Sequence, residues 1–473
     1  MKKNFIVICL LFTSNLIFAQ HQEIGDKPST WKGKPKQAAD TTNLLYAFKN
    51  GHTQGHFRYF LMATDNKIGL SDYYANAIGG GLKYETAPFK HFQFGVSGFY
   101  VFNIGSSNFT IPDAATNQNN RYEIDLFDIT APNNKNNIDR LEELYLKYHR
   151  KNTTITLGKQ LINTPFINLQ DGRMRPTEVG GVYATTQTAQ NLQLEGGFIY
   201  QISPRSTTEW YKAAESIGIY SQGVNTDGTK SNYKNNLESK GIAMLGGNYK
   251  ITNQIAFIFF NMYVDNIFNS ALLQTEFQHK LKNSNTLKLA LQTIRQDAIN
   301  NGGNTDQTKT YFVKKSSSQT FGIKVAWQNK IWQTSLNYNR ITAQGRYLMP
   351  REWGRDAFFT FLPRERNDGL GDVNAYAIKA QRNFMNVNSK IQLAIGFYNL
   401  PDVGNFRLNK YEMPSYAQFN IDFRHEFKGM LKGFDLQTLL THKAKMGHSA
   451  TTDKNTINKV ELTNYNLILN YHF

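Results

Sequence analysis

The sequence has very little cysteine, little charge and, beyond its start, no long apolar run. Only one of its 473 residues is Cys, which excludes a fold held together by disulfides within the chain. Charged residues make up 19% and apolar residues 40%, both below the ~25% and ~45–50% of soluble domains. After the first 20 residues the longest apolar run, 255–260, is far shorter than the ~20 residues that a spanning helix needs. A helical membrane protein is therefore excluded.

Uncharged polar and aromatic residues take the place of the missing charge. The chain has 25 Tyr, 33 Phe and 35 Gly, and its formal net charge is +17. A basic chain raises the question of nucleic-acid binding. Here the Lys and Arg residues are spread along the chain without a cluster, and the N-terminus indicates export. We expect no nucleic-acid partner.

The first residues indicate export through a secretory signal. Lys2 and Lys3 precede an apolar stretch at 5–12, and Ala19 is a small residue suited to cleavage. Residues 1–19 are predicted to be a signal peptide, 20–55 a flexible periplasmic N-terminal arm, and 56–473 a transmembrane domain. Cys9 lies in the signal, so the mature chain is expected to lack cysteine, which suits an oxidising compartment.

From His56 onward, apolar and polar residues alternate with period two, which indicates strands with two unlike faces. In the last segment Tyr465, Leu467 and Leu469 share one face, and Asn464, Asn466 and Asn470 share the other. Eighteen segments show such a pattern: 56–65, 74–86, 89–103, 142–150, 153–160, 177–187, 191–202, 241–250, 254–265, 268–279, 286–296, 319–329, 331–341, 374–383, 390–400, 416–426, 433–443 and 464–473. A further candidate, 217–222, is short and is assigned to a loop.

The connections between these segments alternate between short and long, with 266–267 the one exception. An outer-membrane barrel has short periplasmic turns and long external loops, which gives this alternation. The sequence therefore predicts an all-β fold, a transmembrane antiparallel up-and-down β-barrel of about 18 strands. Such a barrel is wide enough for an aqueous passage. Its apolar face would meet outer-membrane lipid, and the C-terminal Phe473 would serve recognition by the barrel assembly machinery.

Two stretches carry a family likeness. Residues 79–96 read GGGLKYETAPFKHFQFGV, and residues 146–176 read LKYHRKNTTITLGKQLINTPFINLQDGRMRP. The chain resembles the OprD-type outer-membrane porins, which share a Gly-Lys/Arg-Gln strand end, a Thr-Pro and an Asp-x-Arg-x-x-Pro loop. The matching positions are Gly158, Lys159, Gln160, Thr164, Pro165, Asp171, Arg173 and Pro176. The resemblance implies an 18-stranded barrel with loops folded inward, and basic lumen residues that guide anionic, often carboxylate-bearing, nutrients.

Charged side chains at the constriction of a wide pore set its ion selectivity. Strand parity places six basic residues on the lumen face: Arg58, Lys147, Lys288, Lys324, Lys379 and Arg424. A charge on the lipid face near the midplane costs ~2–4 kcal/mol, which favours the inward placement. The inward acids are Glu276 and Asp422, and Asp422 would partly cancel Arg424.

The loop 161–176 adds Arg173 and Arg175 to the selectivity candidates. Guanidinium groups suit carboxylates because the planar fork can bind both oxygens. Alternatively, the two arginines pair with Asp171 and Glu178 and pin the loop to the wall. The sequence leaves both interpretations open.

Loop 342–373 is the most charged stretch, with acids and bases nearly balanced, and we expect it to pair with itself. Its segment 365–372 does not match the spacing of an EF-hand, so no metal site is expected there. The sequence contains no G-x-S-x-G, H-E-x-x-H or G-x-x-x-x-G-K-[ST] motif. Neither an enzyme activity nor a cofactor is predicted.

These observations predict an outer-membrane porin that passes small hydrophilic solutes passively and favours anions. Basic residues would raise the local concentration of anionic solute. Within the same class, an oligosaccharide channel is the alternative, because the sequence also supplies aromatic side chains. From other classes, the rivals are an outer-membrane barrel enzyme and a soluble exported β-protein that binds glycans.

Overall fold

The computed structural model describes residues 30–32, 40–169, 172–447 and 451–473. The predicted signal peptide, much of the predicted arm and Asp171 lie outside these residues. The described part contains nineteen strands: β1 (His52–Asp65), β2 (Tyr73–Glu85), β3 (Phe92–Ser106), β4 (Ile138–Arg150), β5 (Thr153–Gln160), β6 (Glu178–Ala189), β7 (Leu192–Ser203), β8 (Tyr211–Lys212), β9 (Ile242–Lys250), β10 (Ile255–Val264), β11 (Phe268–Lys280), β12 (Thr286–Ala298), β13 (Ser317–Gln328), β14 (Trp332–Ile341), β15 (Val373–Phe384), β16 (Ser389–Asn399), β17 (Tyr416–Glu426), β18 (Phe434–Lys445) and β19 (Leu462–His472).

The strands form one closed antiparallel sheet. Each wall strand pairs with its neighbours along the chain, and β1 pairs with β19, which closes the barrel. The two-residue strand β8 pairs only with the end of β7, while β7 continues its pairing with β9. The wall therefore has eighteen strands, with β8 as an addition. This confirms the predicted fold class.

The strand boundaries follow the alternation closely, with two extensions. Strand β1 begins at His52, inside the segment assigned to the arm, because residues 52–55 continue the backbone pairing with β2. Strand β4 begins at Ile138 instead of 142, and it opposes β3 across a register shift between Val96 and Gly98. Residues 217–222 lie in a loop, as predicted.

The two faces of the wall differ as the alternation requires. In β19, Tyr465 is 44% exposed while Asn464 is fully buried. The same division repeats around the barrel, with Leu82, Leu245 and Leu336 among the apolar side chains exposed on the outside. The outer face is an apolar band suited to lipid, and the inner face is polar.

The buried core lies inside the barrel and not between two layers. An eighteen-stranded barrel is too wide for inward side chains alone to fill. Loop residues complete the packing: Phe166 of loop 161–177, Tyr233 of loop 204–241 and Trp353 of loop 342–372 are buried together with inward residues of the strands. Tyr122 and Phe127 of loop 107–137 pack inside the wall formed by β1, β2 and β3.

Helical structure is sparse and lies outside the wall strands. The α-helices are α1 (Leu44–Lys49) and α2 (Asp453–Thr456). Short 3-10 turns occur at Glu123–Leu126, Gln307–Lys309, Arg351–Trp353, Met385–Val387 and Gly429–Leu431. In the part of the chain that the structure describes, no helix has the length and apolar character needed to cross a bilayer. The chain's C-terminus, the turn at Gly429–Leu431 and α1 lie at the end of the barrel with short turns.

Candidate channel lining

Six of the basic residues singled out above lie on the inner face of the wall. They are distributed around the barrel on separate strands: Arg58 on β1, Lys147 on β4, Lys288 on β12, Lys324 on β13, Lys379 on β15 and Arg424 on β17. Each alternates along its strand with side chains exposed on the outer face, such as Leu287 and Ile323. The barrel thus holds positive charge on several sides of its interior.

Arg58 is held by uncharged oxygen atoms. Its Nε donates to Asn470 Oδ1 at 2.7 Å, and its terminal nitrogen donates to the backbone carbonyls of Arg173 and Met174. Neutral acceptors satisfy the hydrogen-bonding capacity of the guanidinium without cancelling its charge. Arg58 therefore keeps its charge where loop 161–177 meets the wall, and the Asp435 carboxylate lies beyond Asn470, whose Nδ2 donates to it at 2.7 Å.

Arg175 binds a carboxylate of the wall. Two nitrogens of its guanidinium donate hydrogen bonds to the carboxylate of Glu142 on β4, and Nε lies 2.6 Å from Oε1. The same group is sandwiched between aromatic rings, 4.7 Å from the centre of Trp31 and 4.5 Å from that of Phe99. Both Arg175 and Glu142 are buried. This arginine fixes the loop to the wall.

Arg173 also pairs with a carboxylate. One terminal nitrogen lies 3.5 Å from Asp125 Oδ2 on the inward loop 107–137. The sequence analysis offered Asp171 and Glu178 as acidic partners of the two arginines. Asp171 lies outside the described residues. Glu178 lies beside Arg140, with a nitrogen-to-oxygen distance of 3.8 Å. Among the described residues, Glu142 and Asp125 are the carboxylates through which the two arginines hold the loop.

Two of the wall bases have acidic neighbours, and a third meets a loop. Lys147 Nζ lies 2.5 Å from Glu85 of β2, and Arg424 lies 2.8 Å from Asp422 on its own strand. Lys379 Nζ donates to the carbonyl of Phe359 at 2.9 Å, which ties the wall to loop 342–372. Lys379 and Asp422 border the same small cavity, beside Phe361 and Asn420.

The sequence analysis did not predict the position of loop 342–372, which crosses the lumen. Its neck is closed by backbone hydrogen bonds between Tyr347 and Leu370, at 2.8 Å, and between Gly369 and Tyr347, at 2.7 Å. Farther along, Arg364 donates to Asn464 at 3.0 Å and to Asn466 at 2.6 Å on β19. The loop therefore reaches a wall strand that lies four positions around the barrel from β15.

Acids and bases of this loop meet inside the barrel. One small cavity is lined by Arg351, Arg355, Asp356, Glu365 and Asp368 together with Arg205 of loop 204–241. Burial and the neighbouring Asp368 carboxylate raise the pKa of Asp356 to about 8, against the opposing pull of Arg351. The high density of charge in 342–373 was the available sequence signal. It indicated pairing within the loop but not its place in the lumen.

A closed eighteen-stranded barrel with an apolar exterior, a polar interior and inward-folded loops defines the class of outer-membrane porins. The family described as outer membrane porin, OprD family, matches residues 114–352, half of the chain. The chain belongs to this family. Its place is the outer membrane, and it is a channel protein and not an enzyme.

Solved structures of low sequence identity share the fold. OccAB4 from Acinetobacter baumannii is 15% identical, with a TM-score of 0.68 over 89% of this chain and 98% of that one. OccD3 (OpdP) from Pseudomonas aeruginosa is 14% identical, with a TM-score of 0.67 over 93% and 95%. OpdK from Pseudomonas aeruginosa, solved with vanillate, is 12% identical, with a TM-score of 0.68 over 90% and 99%. No curated protein matches the sequence.

Proposed function

We propose that this porin passes small hydrophilic solutes by diffusion and favours anions, particularly those that carry a carboxylate. The observation that carries the proposal is Arg58, whose guanidinium faces the lumen and is held by an amide and two carbonyl oxygens. Such a charge attracts an anion without first having to release a bound carboxylate. The net charge, which is +17 for the full sequence and +15 without Lys2 and Lys3 of the predicted signal peptide, adds a favourable long-range field.

The remaining wall bases would extend the attraction across the interior. Lys288, Lys324 and Lys379 lie on the inner face of neighbouring or nearby strands. Several weak contacts let a solute enter and leave, which diffusion requires. The presence of vanillate, a carboxylate, in the structure of OpdK is compatible with this class of solute.

Reversal potential in a planar bilayer under a KCl gradient tests the proposal. We expect chloride preference, and we expect Arg58→Gln to weaken it because glutamine keeps a donor for Asn470 but removes the charge. Arg295→Gln is the matched control, since Arg295 and its partner Asp297 are both about two-fifths exposed.

Three results would contradict the proposal in different ways. An open channel without ion preference would favour neutral solutes such as oligosaccharides. An Arg58→Gln channel with unchanged chloride preference would place the selective charge elsewhere. Folded protein that conducts no ions would contradict the passive channel itself.

The aromatic C-terminus belongs to the same proposal as the signal for the barrel assembly machinery. Phe473 is 53% exposed and stacks on Phe57 with ring centres 5.9 Å apart. Its backbone pairs with Gly55, with nitrogen-to-oxygen distances of 2.9 and 3.1 Å. The ring therefore stands at the seam where the last strand closes on the first.

A further inference from the structure

The short helix α1 presents an apolar face to the outside of the barrel. In a helix, successive residues are separated by about 100°, so Leu44, Leu45 and Phe48 share one side. Their side chains are 54%, 62% and 47% exposed. Ala47 lies outside this sector, on the side toward the barrel, and is 1% exposed. The helix therefore buries its smallest residue and exposes its largest apolar ones.

The helix is fixed to the outer side of the wall. The Tyr84 hydroxyl, on the outward face of β2, donates to the carbonyl of Phe48. The amide of Ala87 donates to the carbonyl of Ala47 at 3.0 Å, in the turn between β2 and β3. Before the helix, Thr41 pairs with the same turn through Pro88 and Lys90, at 3.1 and 3.0 Å. Contacts on both sides of α1 hold its orientation.

The position of Tyr84 gives the height of α1 relative to the apolar band. Tyr74 and Tyr84 stand on the outward face of β2 near its two ends. Ten residues at ~3.4 Å each on a strand tilted by ~35–45° rise about 24–28 Å, which matches an apolar band ~25 Å tall with aromatic girdles at its edges. Tyr84 thus belongs to the periplasmic girdle, and α1 lies directly against it.

The apolar face of α1 continues the lipid-facing surface of the barrel. Leu82, two residues from Tyr84 on the same face of β2, is 56% exposed. Lys49 in the last turn of the helix is exposed, and so is Lys90 in the turn that binds Thr41 just before the helix. An apolar face bordered by lysines fits the boundary between acyl chains and phosphate headgroups.

We propose that α1 is an interfacial helix whose Leu44, Leu45 and Phe48 insert into the inner, phospholipid leaflet of the outer membrane. Lys49 and Lys90 meet the phosphate groups of that leaflet. The helix anchors the chain just before β1 and keeps this part of the N-terminal segment outside the channel mouth. The partner is a lipid surface, because the face adjoins the surface of the barrel that already contacts lipid.

Site-directed spin labelling of the intact porin tests this inference. Cys9 is the single cysteine of the sequence, so a Cys9→Ser variant has none. Adding Leu45→Cys to this variant lets a nitroxide be attached at residue 45 only. Leu82→Cys is the lipid-exposed control. Met430→Cys is the water-exposed control, because Met430 is fully exposed in the turn Gly429–Leu431 at the same end of the barrel. Heat-modifiable migration verifies that each labelled protein is folded.

The porin is reconstituted in vesicles of phosphatidylethanolamine and phosphatidylglycerol, and collisions with oxygen and with a water-soluble nickel complex are compared. We expect the oxygen-to-nickel ratio at residue 45 to approach that at residue 82 and to exceed that at residue 430 several-fold. A ratio equal to that at residue 430 would place the helix in water and overturn the inference. Protection from both reagents would also overturn it, since the face would then be covered by protein, such as a second copy.

Discussion

Arg175 shows how much a single side chain in this lumen depends on its partners. Its guanidinium satisfies the buried carboxylate of Glu142 and fills the space between Trp31 and Phe99. Removing one partner of a buried pair leaves the other charge uncompensated. Trp31 depends on the same group of residues, since its indole nitrogen donates to Glu143 at 2.9 Å. We therefore expect the arginine to contribute mainly to the stability of the barrel.

Arg175→Gln is expected to destabilise the folded barrel by about 3–5 kcal/mol, the range for breaking a buried ion pair. Urea unfolding in detergent, followed by heat-modifiable migration, measures the change. Arg295→Gln is the control, because an exposed pair contributes about 0–1 kcal/mol. Equal stability of the two variants would show that Arg175 is not an anchor.

Asp356 is expected to make chloride preference depend on pH. Its carboxyl group, with a pKa of about 8, is largely neutral at pH 7 and becomes charged as the pH rises through that value. The cavity it lines then gains a negative charge, so chloride preference should fall between pH 7 and 9. Asp356→Asn should lower the size of that fall in reversal-potential measurements.

The same carboxyl group has a consequence for stability with a definite sign. An acid whose pKa is raised by folding disfavours the folded state once the unfolded chain ionises. This contribution is absent below the ordinary Asp pKa and grows as the pH rises toward 8. Asp356→Asn should remove this contribution, so the free energy of unfolding of the variant should exceed that of the parent by the largest amount near pH 8. A gain that is equal at pH 4 and pH 8 would contradict the assignment.

At the scale of single elements, the backbone at the end of β5 requires a glycine at position 158. Gly158 has φ of +118°, which L side chains rarely adopt, and a Cβ there would collide with the carbonyl oxygen of Leu144 on β4. The following residues, Lys159 and Gln160, continue the pairing with β6. The glycine of the Gly-Lys-Gln motif is therefore a backbone requirement of the β4–β5 contact.

Gly158→Ala is expected to destabilise the barrel by at least about 1–3 kcal/mol, the cost of one strained backbone residue. The collision with β4 adds to this value. Gly105→Ala is the matched strand control, because a Cβ at Gly105 would meet only Asn76 Nδ2, at 3.8 Å. Urea unfolding of both variants makes the comparison, and an unaffected Gly158→Ala barrel would contradict this account.

At the scale of the whole molecule, the loops determine how much of the barrel is open. Eighteen strands enclose a wide lumen, yet loop 342–372 crosses it and reaches Asn464 and Asn466. Lys443 on β18 adds a further contact by donating to the carbonyl of Arg364. The loop is thus fixed to wall strands that lie three to five positions around the barrel from its own β14 and β15.

Replacing residues 349–367 by a short Gly-Ser linker should raise the single-channel conductance several-fold, because the lumen loses its central obstruction. The deletion keeps the neck formed by Tyr347 and Leu370. Replacing the exposed residues 305–308 in the same way is the control and should leave the conductance unchanged. Similar conductance in both deletion variants would show that another loop restricts the passage.

The sequence alone determined the wall of this protein. Alternation with period two is local, since each residue's face follows from its neighbours two positions away. Eighteen strands, their approximate boundaries and the antiparallel barrel were therefore predictable, and so was the inner face of Arg58 or Lys379. The closeness of Asp422 and Arg424 could be predicted for the same reason, because the two residues lie on one face of one strand.

Only the tertiary structure decided which residues fill the interior of the barrel. Arg364 and Asn464 are a hundred positions apart, and no local pattern relates them. Glu142 and Glu143 both turn inward because the β3–β4 register shifts, which strand parity does not anticipate. The partners of Arg173 and Arg175, and the course of loop 342–372 through the lumen, follow from closure of the barrel. Closure brings distant parts of the chain together, so their contacts depend on the whole fold.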